Sequence, residues 1–395
     1  MNRPGYQTGV DILTANAGVY KHLRFGLVTN NAAVTSQLQL SRVALINAGF
    51  NIVKLFAPEH GISALGADGS YQNSGKDETT GLPVISLYGA HLVPDNTDMD
   101  GIDAVIYDLP DVGCRFYTYH WTLSYILEAC AQRSLPLYIA DRPNMISGNM
   151  ELTEGPMLDE STCSSFIGRW NIPVRHGCTI GELALLWNKQ RNINAAVTVI
   201  ALKNWKRSLF YDELGVPFIP TSPAINSFNT ALLYPGTGFL EGVNVSEGRG
   251  TDRPFSICGA PWINPHELHD LITSFEIKGL ATLPFSFRPI SGKYALLQCH
   301  GLQFYITQKS QFKSVSAGLW LLWALYYLYG NHLQPHLYKS HANPSGKRHL
   351  EMLTGIEAVW PLIKSPREVF KEKMALLTAT QRWNQLVTPY LLYPA

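Results

Sequence analysis

Short apolar runs alternate with helical patterns through the first half of the chain. Five of these runs predict buried strands, at 25–29, 52–56, 84–87, 104–107 and 137–140. Two longer segments, 35–48 and 120–132, have helical patterns, and Gly49 closes the first of them. Because strands that alternate with helices form parallel sheets, we predict an α/β fold. It is a Rossmann-like, mostly parallel sheet with helices on both faces.

Polar side chains follow each predicted strand. They are Asn30 and Asn31, Glu59 and His60, Tyr88, Asp108 and Asp111, and Asp141 and Arg142. In open α/β sheets, ligands bind beyond the carboxyl ends of the strands. We therefore expect these side chains to converge on a single cleft.

The regular alternation is lost near Leu214, where prolines and glycines cluster over 217–261. Strand-like runs at 283–289 and 294–307 and a helical run at 315–329 follow. This change predicts a Rossmann-like catalytic domain over 1–215 and a smaller C-terminal α+β domain over 216–395. Within the first domain, Thr179 and Glu182 have the spacing of a capping box, so we assign Glu182 a structural role.

Composition narrows the function classes. The 395 residues are 46% hydrophobic and 15% charged, which excludes a disordered chain. A net charge of +1 provides no broad field for nucleic acid or for a membrane surface, so we expect neither as a partner. The apolar run at 315–329 is shorter than the ~20 residues that a bilayer requires and predicts a buried helix.

The six cysteines form no C-x-x-C pair, which argues against a zinc ribbon or a redox dithiol. Buried free thiols and a reducing compartment are expected, although the even number leaves disulfides open. The first residues, MNRPGYQTGVDIL, have no signal-peptide pattern. We expect a cytoplasmic protein, or a periplasmic or secreted one if a leader has been removed.

The segment DLPDVGCRFYTY, 108–119, carries two aspartates, an arginine and two tyrosines directly after an apolar run. Packing gains nothing from buried charges, and an unpaired one costs several kcal/mol, so these groups are expected at a site. The alternative is an ion-paired loop in which Asp108 or Asp111 holds Arg115.

The segment FAPEHG, 56–61, presents Glu59 and His60 just after a strand, because Pro58 fixes the chain and Gly61 allows a sharp turn. A carboxyl group in a partly apolar cleft has a raised pKa and serves as a general acid at neutral pH. The alternative is that Glu59 caps a helix or pairs with an arginine. The Glu-His pair has no third metal ligand nearby in sequence.

Two further segments combine acids with arginines. In DRPN, Asp141 and Arg142 either bind a ligand or form a turn with Asn144. In SEGRGT, 246–251, two glycines flank Arg249, whose guanidinium suits a carboxylate ligand; the alternative is a solvated surface turn.

Other catalytic motifs are absent from the sequence. There is no G-x-G-x-x-G after the first strand and no P-loop, so a dinucleotide or nucleotide site is not expected. Ser222 has no G-x-S-x-G elbow around it, which disfavours a serine hydrolase.

Together the motifs resemble those of the NamZ-type exo-β-N-acetylmuramidases. They occur in the order FAPEHG, GLPVISLYG, DLPDVGCRFYTY, DRPN, TIGELA, YPGTGFLEGVNVSEGRGT and GAPW. The resemblance implies a Rossmann-like catalytic domain, an auxiliary domain and a site in the cleft between them. It also implies release of terminal N-acetylmuramic acid from peptidoglycan-derived saccharides, Glu59 as the catalytic residue, and no metal or organic cofactor.

The chain departs from the family pattern at four places. Pro110 replaces a glutamine, Ala224 replaces an asparagine, and 62–65 replace a basic residue and delay the next glycine to Gly66. Arg253 follows GRGT, where the family is less charged. The polar groups lost at 110 and 224 indicate an altered sugar subsite. The alternatives are a saccharide-binding protein without catalysis and a hydrolase for a different acidic amino sugar.

As a mechanism we expect Glu59 to protonate the leaving oxygen. The second carboxylate is Asp108, Asp111 or Glu247, unless the substrate's N-acetyl group attacks. Arg115, Arg142 or Arg249 pairs with the lactyl carboxylate, and Tyr117, Tyr119 and Trp262 pack on the sugar. The catalytic candidates are Glu59, His60, Asp108 and Asp111; the substrate-binding candidates are Asn30, Arg115, Tyr117, Tyr119, Asp141, Arg142, Asn144, Glu241, Glu247, Arg249 and Thr251.

Overall fold

The structure is a computed structural model that describes residues 5–89, 91–341 and 343–395. Its strands are β1 (Arg24–Val28), β2 (Asn51–Ala57), β3 (Gly75–Lys76), β4 (Pro83–Ser86), β5 (Ala104–Tyr107), β6 (Leu137–Ala140), β7 (Glu154–Met157), β8 (Pro173–Arg175), β9 (Val197–Ile200), β10 (Ile257–Ala260), β11 (Leu280–Phe287) and β12 (Cys299–Ile306). Its α-helices are α1 (Gly9–Ala15), α2 (Ser41–Ala48), α3 (Tyr119–Gln132), α4 (Glu160–Cys163), α5 (Ile180–Gln190), α6 (Phe228–Thr237), α7 (Pro265–Thr273), α8 (Ser314–Tyr329), α9 (His349–Thr354), α10 (Val359–Ile363), α11 (Arg367–Thr378) and α12 (Gln381–Val387).

A seven-stranded sheet with the order β3-β4-β2-β1-β5-β6-β9 forms the centre of the first half. Every neighbouring pair is parallel except β3 and β4, which are antiparallel. The strand β1 is central: β2, β4 and β3 lie on one side of it, and β5, β6 and β9 lie on the other. The predicted mostly parallel sheet is confirmed, and all five predicted strands are present.

Helices cover both faces of this sheet, as predicted. On β5, Ala104 and Ile106 pack with α1 and α2, whereas Val105 and Tyr107 pack with α3 and α5. Alternate residues of a strand point to opposite faces. All four β5 residues are buried because both faces are covered, which is why the run reads as continuously apolar.

One predicted helix boundary was wrong. The segment 35–40 is not helical, and α2 begins only at Ser41. Leu38 has a left-handed backbone (φ 63°), and the Thr35 hydroxyl accepts hydrogen bonds from the backbone of Gln37 and Gln39. A threonine hydroxyl that bonds to nearby backbone competes with helix formation in this way. Gly49 closes α2 with φ 94°, as expected.

The second half contains a smaller antiparallel sheet, with the order β10-β12-β11, and a set of helices. The predicted buried helix is α8. The second predicted strand starts late, at Cys299, because Tyr294 and Leu296 have positive φ angles and form turns. The described helices include none long and apolar enough to cross a bilayer.

The six cysteines are all free and buried, so the disulfide alternative is wrong. Their burial raises the pKa of thiols such as Cys130. They behave as small apolar side chains of the core.

The largest hydrophobic core is continuous across the predicted boundary at 215. It joins Leu123 and Trp187 of the first half to Trp320 and Phe370 of the second. Helices α6 and α8 pack closely, since a Cβ on Gly236 would lie 2.0 Å from the Ser314 carbonyl oxygen. Burial of this shared core fixes the two halves against each other.

Candidate active site

A cavity of about 590 Å³ lies at the carboxyl ends of β2 and β4 and is closed from the other side by the second half of the chain. Its first-half lining includes Glu59, His60, Asp68, Tyr88, Tyr117 and Thr118. Its second-half lining includes Ala224, Tyr234, Glu241, Arg249, Phe255 and His349. The site therefore requires both halves of the chain.

Glu59 is delivered by a sharp turn at the end of β2. His60 and Gly61 both have left-handed φ angles, 69° and 70°, which reverse the chain directly after Glu59. The side chain of Glu59 is buried, and its carboxyl group accepts hydrogen bonds from the Gly69 amide (3.1 Å) and the Thr118 hydroxyl (2.7 Å). Burial, together with the charge of Asp68, raises the pKa of Glu59. The carboxyl group is thus aligned and holds its proton to higher pH than an exposed glutamate.

His60 lines the cavity beside Glu59. Its Nδ1 lies 2.8 Å from the Gly66 carbonyl oxygen, so Nδ1 carries a proton in that hydrogen bond. This contact holds the ring in place at the cavity wall. The structure thus brings together the two residues of the PEHG motif, as the sequence predicted.

Asp108 and Asp111 do not line the cavity, so the expected convergence of every strand end on one cleft is not what the fold produces. Asp108 forms a buried, two-pronged ion pair with Arg142, with Nη2 3.0 Å from Oδ2. Asp111 lies between His120 (2.9 Å) and His176 (3.2 Å), away from solvent. Burial would raise the pKa of Asp111, but these two imidazoles lower it below its usual range. These buried ion pairs and hydrogen bonds favour structural roles for Asp108 and Asp111.

Arg115 is buried and binds backbone rather than either aspartate. Its guanidinium donates hydrogen bonds to the carbonyl oxygens of Pro156 (2.6 Å), Ile172 (2.9 Å) and Leu353 (3.0 Å). Both roles expected for Arg115 from the sequence, ligand binding and an ion pair with Asp108 or Asp111, differ from this arrangement. Arg115 instead ties the strand-end loop to the second half.

Four other predicted substrate contacts are also hydrogen-bonded within the protein, away from the cavity lining. Asn30 donates to the Tyr119 hydroxyl (2.8 Å), which in turn donates to the Thr221 carbonyl (2.7 Å). Asn144 donates to the Cys178 carbonyl (3.0 Å). Thr251 donates to the Gly248 carbonyl (2.6 Å). These bonds organise the loops that carry the site.

Asp141 anchors the start of α5. It accepts hydrogen bonds from the Gly181 amide and the Thr179 hydroxyl, each at 2.8 Å, and from the Tyr393 hydroxyl. Burial raises the pKa of Asp141 to about 6. Glu182 closes the predicted capping box with Thr179, so its structural assignment is confirmed.

The second half contributes a charged cluster to the cavity. Arg249 contacts Glu241 (2.7 Å), Asp68 (3.3 Å) and Glu247 (3.6 Å). Its guanidinium also lies over the Phe255 ring, 5.0 Å from the centroid. Burial would lower the pKa of Arg249, but the three carboxylates raise it, so the arginine is charged at every relevant pH.

The two glutamates of this cluster differ in protonation. Burial raises the pKa of Glu241 to about 7. Burial acts on Glu247 in the same direction, but Lys293, 2.8 Å away, and Arg249 lower its pKa below the usual range. Glu241 lines the cavity and titrates near neutral pH. Glu247 does not line it, and its lowered pKa keeps it a carboxylate that balances the charge of Arg249.

Aromatic side chains form the walls of the cavity. Tyr117 and Phe255 each pack edge-on against Tyr234, with ring centroids 6.3 and 4.8 Å apart. Trp262, expected on the sugar, lies elsewhere: its ring stacks on His332 and its Nε1 donates to the Tyr294 hydroxyl. The predicted role of Tyr117 as a wall residue therefore fits the geometry, and that of Trp262 does not.

A second depression, of about 430 Å³, is lined by residues that follow the strands β1, β5 and β6. It is lined by Pro110 and Arg142 together with Thr35 of the loop before α2. The two departures that remove a polar side chain, at 110 and 224, thus fall in different places, since Ala224 lines the first cavity and Pro110 the second.

Two clusters of described residues bring three possible metal-ligand atoms within 4.8 Å of one another: Asp111 with His120 and His176, and Glu59 with His60 and Asp68. In the first cluster the Asp111 oxygens already accept hydrogen bonds. In the second, the nearby Arg249 guanidinium disfavours a cation at Asp68. We interpret neither as a metal centre.

Sequence reasoning did not select several residues of the site, namely Asp68, Thr118, Tyr234, Phe255 and His349. Thr118 lies inside the segment 108–119 that was singled out, but a threonine there carries no distinctive signal. Asp68 lies in a glycine-containing loop, and only the fold brings it to Arg249.

A buried glutamic acid with a raised pKa, a second acid in the same cavity, aromatic walls and a charged arginine are the features of a glycoside hydrolase site for an acidic sugar. Two family profiles match the chain: "Exo-beta-N-acetylmuramidase NamZ, N-terminal" over residues 25–229 and "Exo-beta-N-acetylmuramidase NamZ, C-terminal" over residues 232–393. The chain therefore belongs to the NamZ family of exo-β-N-acetylmuramidases.

Individual relatives agree with this assignment. The chain is 40% identical, over 329 residues, to the peptidoglycan beta-N-acetylmuramidase NamZ of Bacillus subtilis; the match covers 83% of this chain and 79% of the relative. Two crystal structures of DUF1343 family proteins from Bacteroides fragilis have the same fold, with TM-scores of 0.86 and 0.73. Each is 27% identical and covers 98% of this chain and 99% of the other.

Proposed function

We propose that this protein is an exo-acting glycoside hydrolase that releases N-acetylmuramic acid from the non-reducing end of peptidoglycan-derived saccharides. The observation that carries the proposal is the buried carboxyl group of Glu59, aligned by two hydrogen bonds at the base of a cavity that also holds Glu241 and Arg249. The name of the Bacillus subtilis relative supports the same substrate class.

Glu59 serves as the general acid. As the bond between the sugar C1 and the glycosidic oxygen breaks, the carboxyl proton of Glu59 passes to that oxygen, and the leaving saccharide departs as a neutral alcohol. A water molecule forms the new bond to C1 and gives its proton to the carboxylate of Glu241. The resulting carboxylate is stabilised by the Thr118 hydroxyl and the Gly69 amide, which already point at it. These two donors keep the group in position through the transfer.

Glu241 is the second carboxyl group. Of the carboxylates considered, Asp108 and Asp111 are engaged elsewhere, and Glu247 is neutralised by Lys293. Glu241 lines the same cavity as Glu59 and titrates near neutral pH. Glycosidases place a second carboxyl group at the reacting sugar in this way.

Arg249 binds the carboxylate of the lactyl group, which distinguishes N-acetylmuramic acid from N-acetylglucosamine. Its guanidinium lines the cavity and suits a carboxylate. The rings of Tyr117, Tyr234 and Phe255 provide apolar walls for the sugar faces. His60 orients the segment that carries Glu59.

The substitution Glu59→Gln tests this assignment. It keeps the shape of the side chain and one acceptor oxygen, which the Gly69 amide can still reach, while its amide nitrogen can donate to the Thr118 hydroxyl; the transferable proton is lost. We expect turnover of an aryl N-acetyl-β-muramide to fall by at least ~10²-fold, with an unchanged circular dichroism spectrum. Glu78→Gln, the same change at an exposed glutamate, is the matched control and should keep full activity. Comparable turnover in both variants would remove Glu59 from the mechanism.

Ala224 in the cavity lining favours a second candidate, a hydrolase for a related acidic amino sugar. A panel of aryl glycosides, together with the disaccharide that ends in N-acetylmuramic acid, separates the two by the sugar that is freed. Saccharide binding without any release would instead indicate a binding protein.

A further inference from the structure

Asp68 makes a contact in the cavity that the proposed mechanism leaves unused: its carboxylate lies 3.3 Å from Nη2 of Arg249. We propose that, without substrate, the Asp68 carboxylate occupies the position on Arg249 that the lactyl carboxylate of the substrate takes. When substrate binds, the lactyl carboxylate displaces Asp68 from Arg249. This inference rests on the proposed function, and it makes Asp68 a determinant of specificity.

The partners of Arg249 differ in how easily they are displaced. Glu241 and Glu247 have side chains that are 6% and 4% exposed, and Glu247 is further held by Lys293. Asp68 is 27% exposed and makes the longer of the two contacts to Nη2. A partly exposed ion pair is worth little, so Asp68 is the partner that an incoming carboxylate replaces at the lowest cost.

The charge of the cavity favours such an exchange. Asp68 and Glu241 line it as acidic groups beside the guanidinium of Arg249, while Glu59 holds the proton that it transfers. A further carboxylate added to Arg249 while Asp68 stays in place would bring like charges within a few ångströms in a poorly solvated site. If the lactyl carboxylate instead takes the place of the Asp68 carboxylate, the charge around Arg249 stays the same.

The backbone beside Asp68 is held in place, whereas its side chain is partly exposed. The next residue, Gly69, donates its amide to Glu59, and its carbonyl oxygen accepts a hydrogen bond from the His341 amide (3.3 Å). The side chain of Asp68 is 27% exposed and has Arg249 as its ion-pair partner. We therefore expect the exchange to involve the side chain of Asp68 and to leave the hydrogen bond from Gly69 to Glu59 in place.

The test measures the binding of two ligands of nearly equal size, N-acetylmuramic acid and its neutral methyl ester, by calorimetry. Removing the competitor in Asp68→Asn and Asp68→Ala should lower the Kd for the acid by about two- to five-fold, as expected for loss of a partly exposed ion pair. The Kd for the ester should not change. Asp252→Asn, which removes an exposed carboxylate that pairs with Arg253, is the matched control and should affect neither ligand.

A crystal structure of Glu59→Gln with a disaccharide that ends in N-acetylmuramic acid gives the second readout. We expect the lactyl carboxylate within hydrogen-bond distance of Arg249 and the Asp68 carboxylate beyond 4.0 Å from it. Asp68 still paired with Arg249, or an unchanged Kd in both Asp68 variants while the wild type releases N-acetylmuramic acid, would overturn the exchange alone. A wild type that releases no N-acetylmuramic acid would overturn the proposed function as well.

Discussion

At the scale of single residues, protonation in the cavity is decided by a balance between burial and hydrogen bonding. Each hydrogen bond that Glu59 accepts contributes about 1–3 kcal/mol to its charged form. Removing the carboxylate from water costs more, and the charge of Asp68 adds to that cost, so the pKa of Glu59 is raised. Glu241 follows the same rule even beside Arg249, with a pKa raised to about 7.

These shifts predict a bell-shaped pH profile for kcat/KM. The rate should fall as pH rises through the raised pKa of Glu59, because the acid loses its proton. It should also fall as pH drops below about 7, where Glu241 becomes protonated. Asp68 raises both pKa values, so Asp68→Asn should move both limbs to lower pH.

The measurement is the pH dependence of aryl N-acetyl-β-muramide turnover, in wild type and in the Asp68→Asn and Asp252→Asn variants. Asp252 is 84% exposed and should leave the profile in place. A profile that moves equally in both variants would show that a general field effect, not the position of Asp68, sets these pKa values.

At the scale of elements, buried arginines join the two halves of the chain. Arg115, in the loop between β5 and α3, reaches the Leu353 carbonyl at the end of α9, and Arg175 on β8 reaches the Phe312 carbonyl (3.2 Å) just before α8. These side chains satisfy carbonyl groups that would otherwise be buried without partners. Arg115 and Arg175 thus join the two halves, while Arg249 lines the cavity.

Arg115→Met should therefore destabilise the protein strongly. It removes a buried guanidinium and leaves the carbonyl oxygens of Pro156, Ile172 and Leu353 without these bonds, which costs roughly 3 kcal/mol or more. Arg133→Met is the matched control: that arginine is partly exposed and pairs with the exposed Asp100, so we expect a loss below about 1 kcal/mol. Urea titration of the free energy of unfolding measures both, and equal losses would contradict the role given to Arg115.

At the scale of the whole molecule, the site exists only because the halves share one core. The cavity takes its acid from β2 and its arginine from the loop before β10, and the core that fixes their distance spans both. The large aromatic side chains Trp121, Trp187 and Trp383 are fully buried in this core. Separation of the halves would expose this core to water.

A fragment of residues 1–229 should accordingly lack a cooperative unfolding transition and show no turnover. The strand β7 would lose the packing of α11, and the His176 carbonyl would lose the hydrogen bond from Trp383 of α12. Thermal melts followed by circular dichroism, with the full chain as the reference, measure this. A sharp, reversible melt of the fragment would show that the first half is an independent folding unit.

The local pattern of the sequence determined the parallel sheet, the helices on its two faces and the presentation of Glu59, because strand burial, capping and the Pro58–Gly61 turn depend on neighbouring residues. The same reasoning predicted the SEGRGT arginine as a ligand group, and Arg249 does line the cavity. It also placed Asp108, Asp111 and Arg142 in the same cleft, where they do not lie.

Only the tertiary structure decided which charged groups share the cavity. The strand ends along one sheet edge line two separate depressions. Asp108 and Asp111 are buried, and a buried carboxylate needs a partner: Asp108 pairs with Arg142, and Asp111 contacts His120 and His176. Asp68 and Arg249 are 181 positions apart by their residue numbers, and no local pattern relates them. Long-range packing brings them together, because the shared core fixes the loop after β2 against the second half.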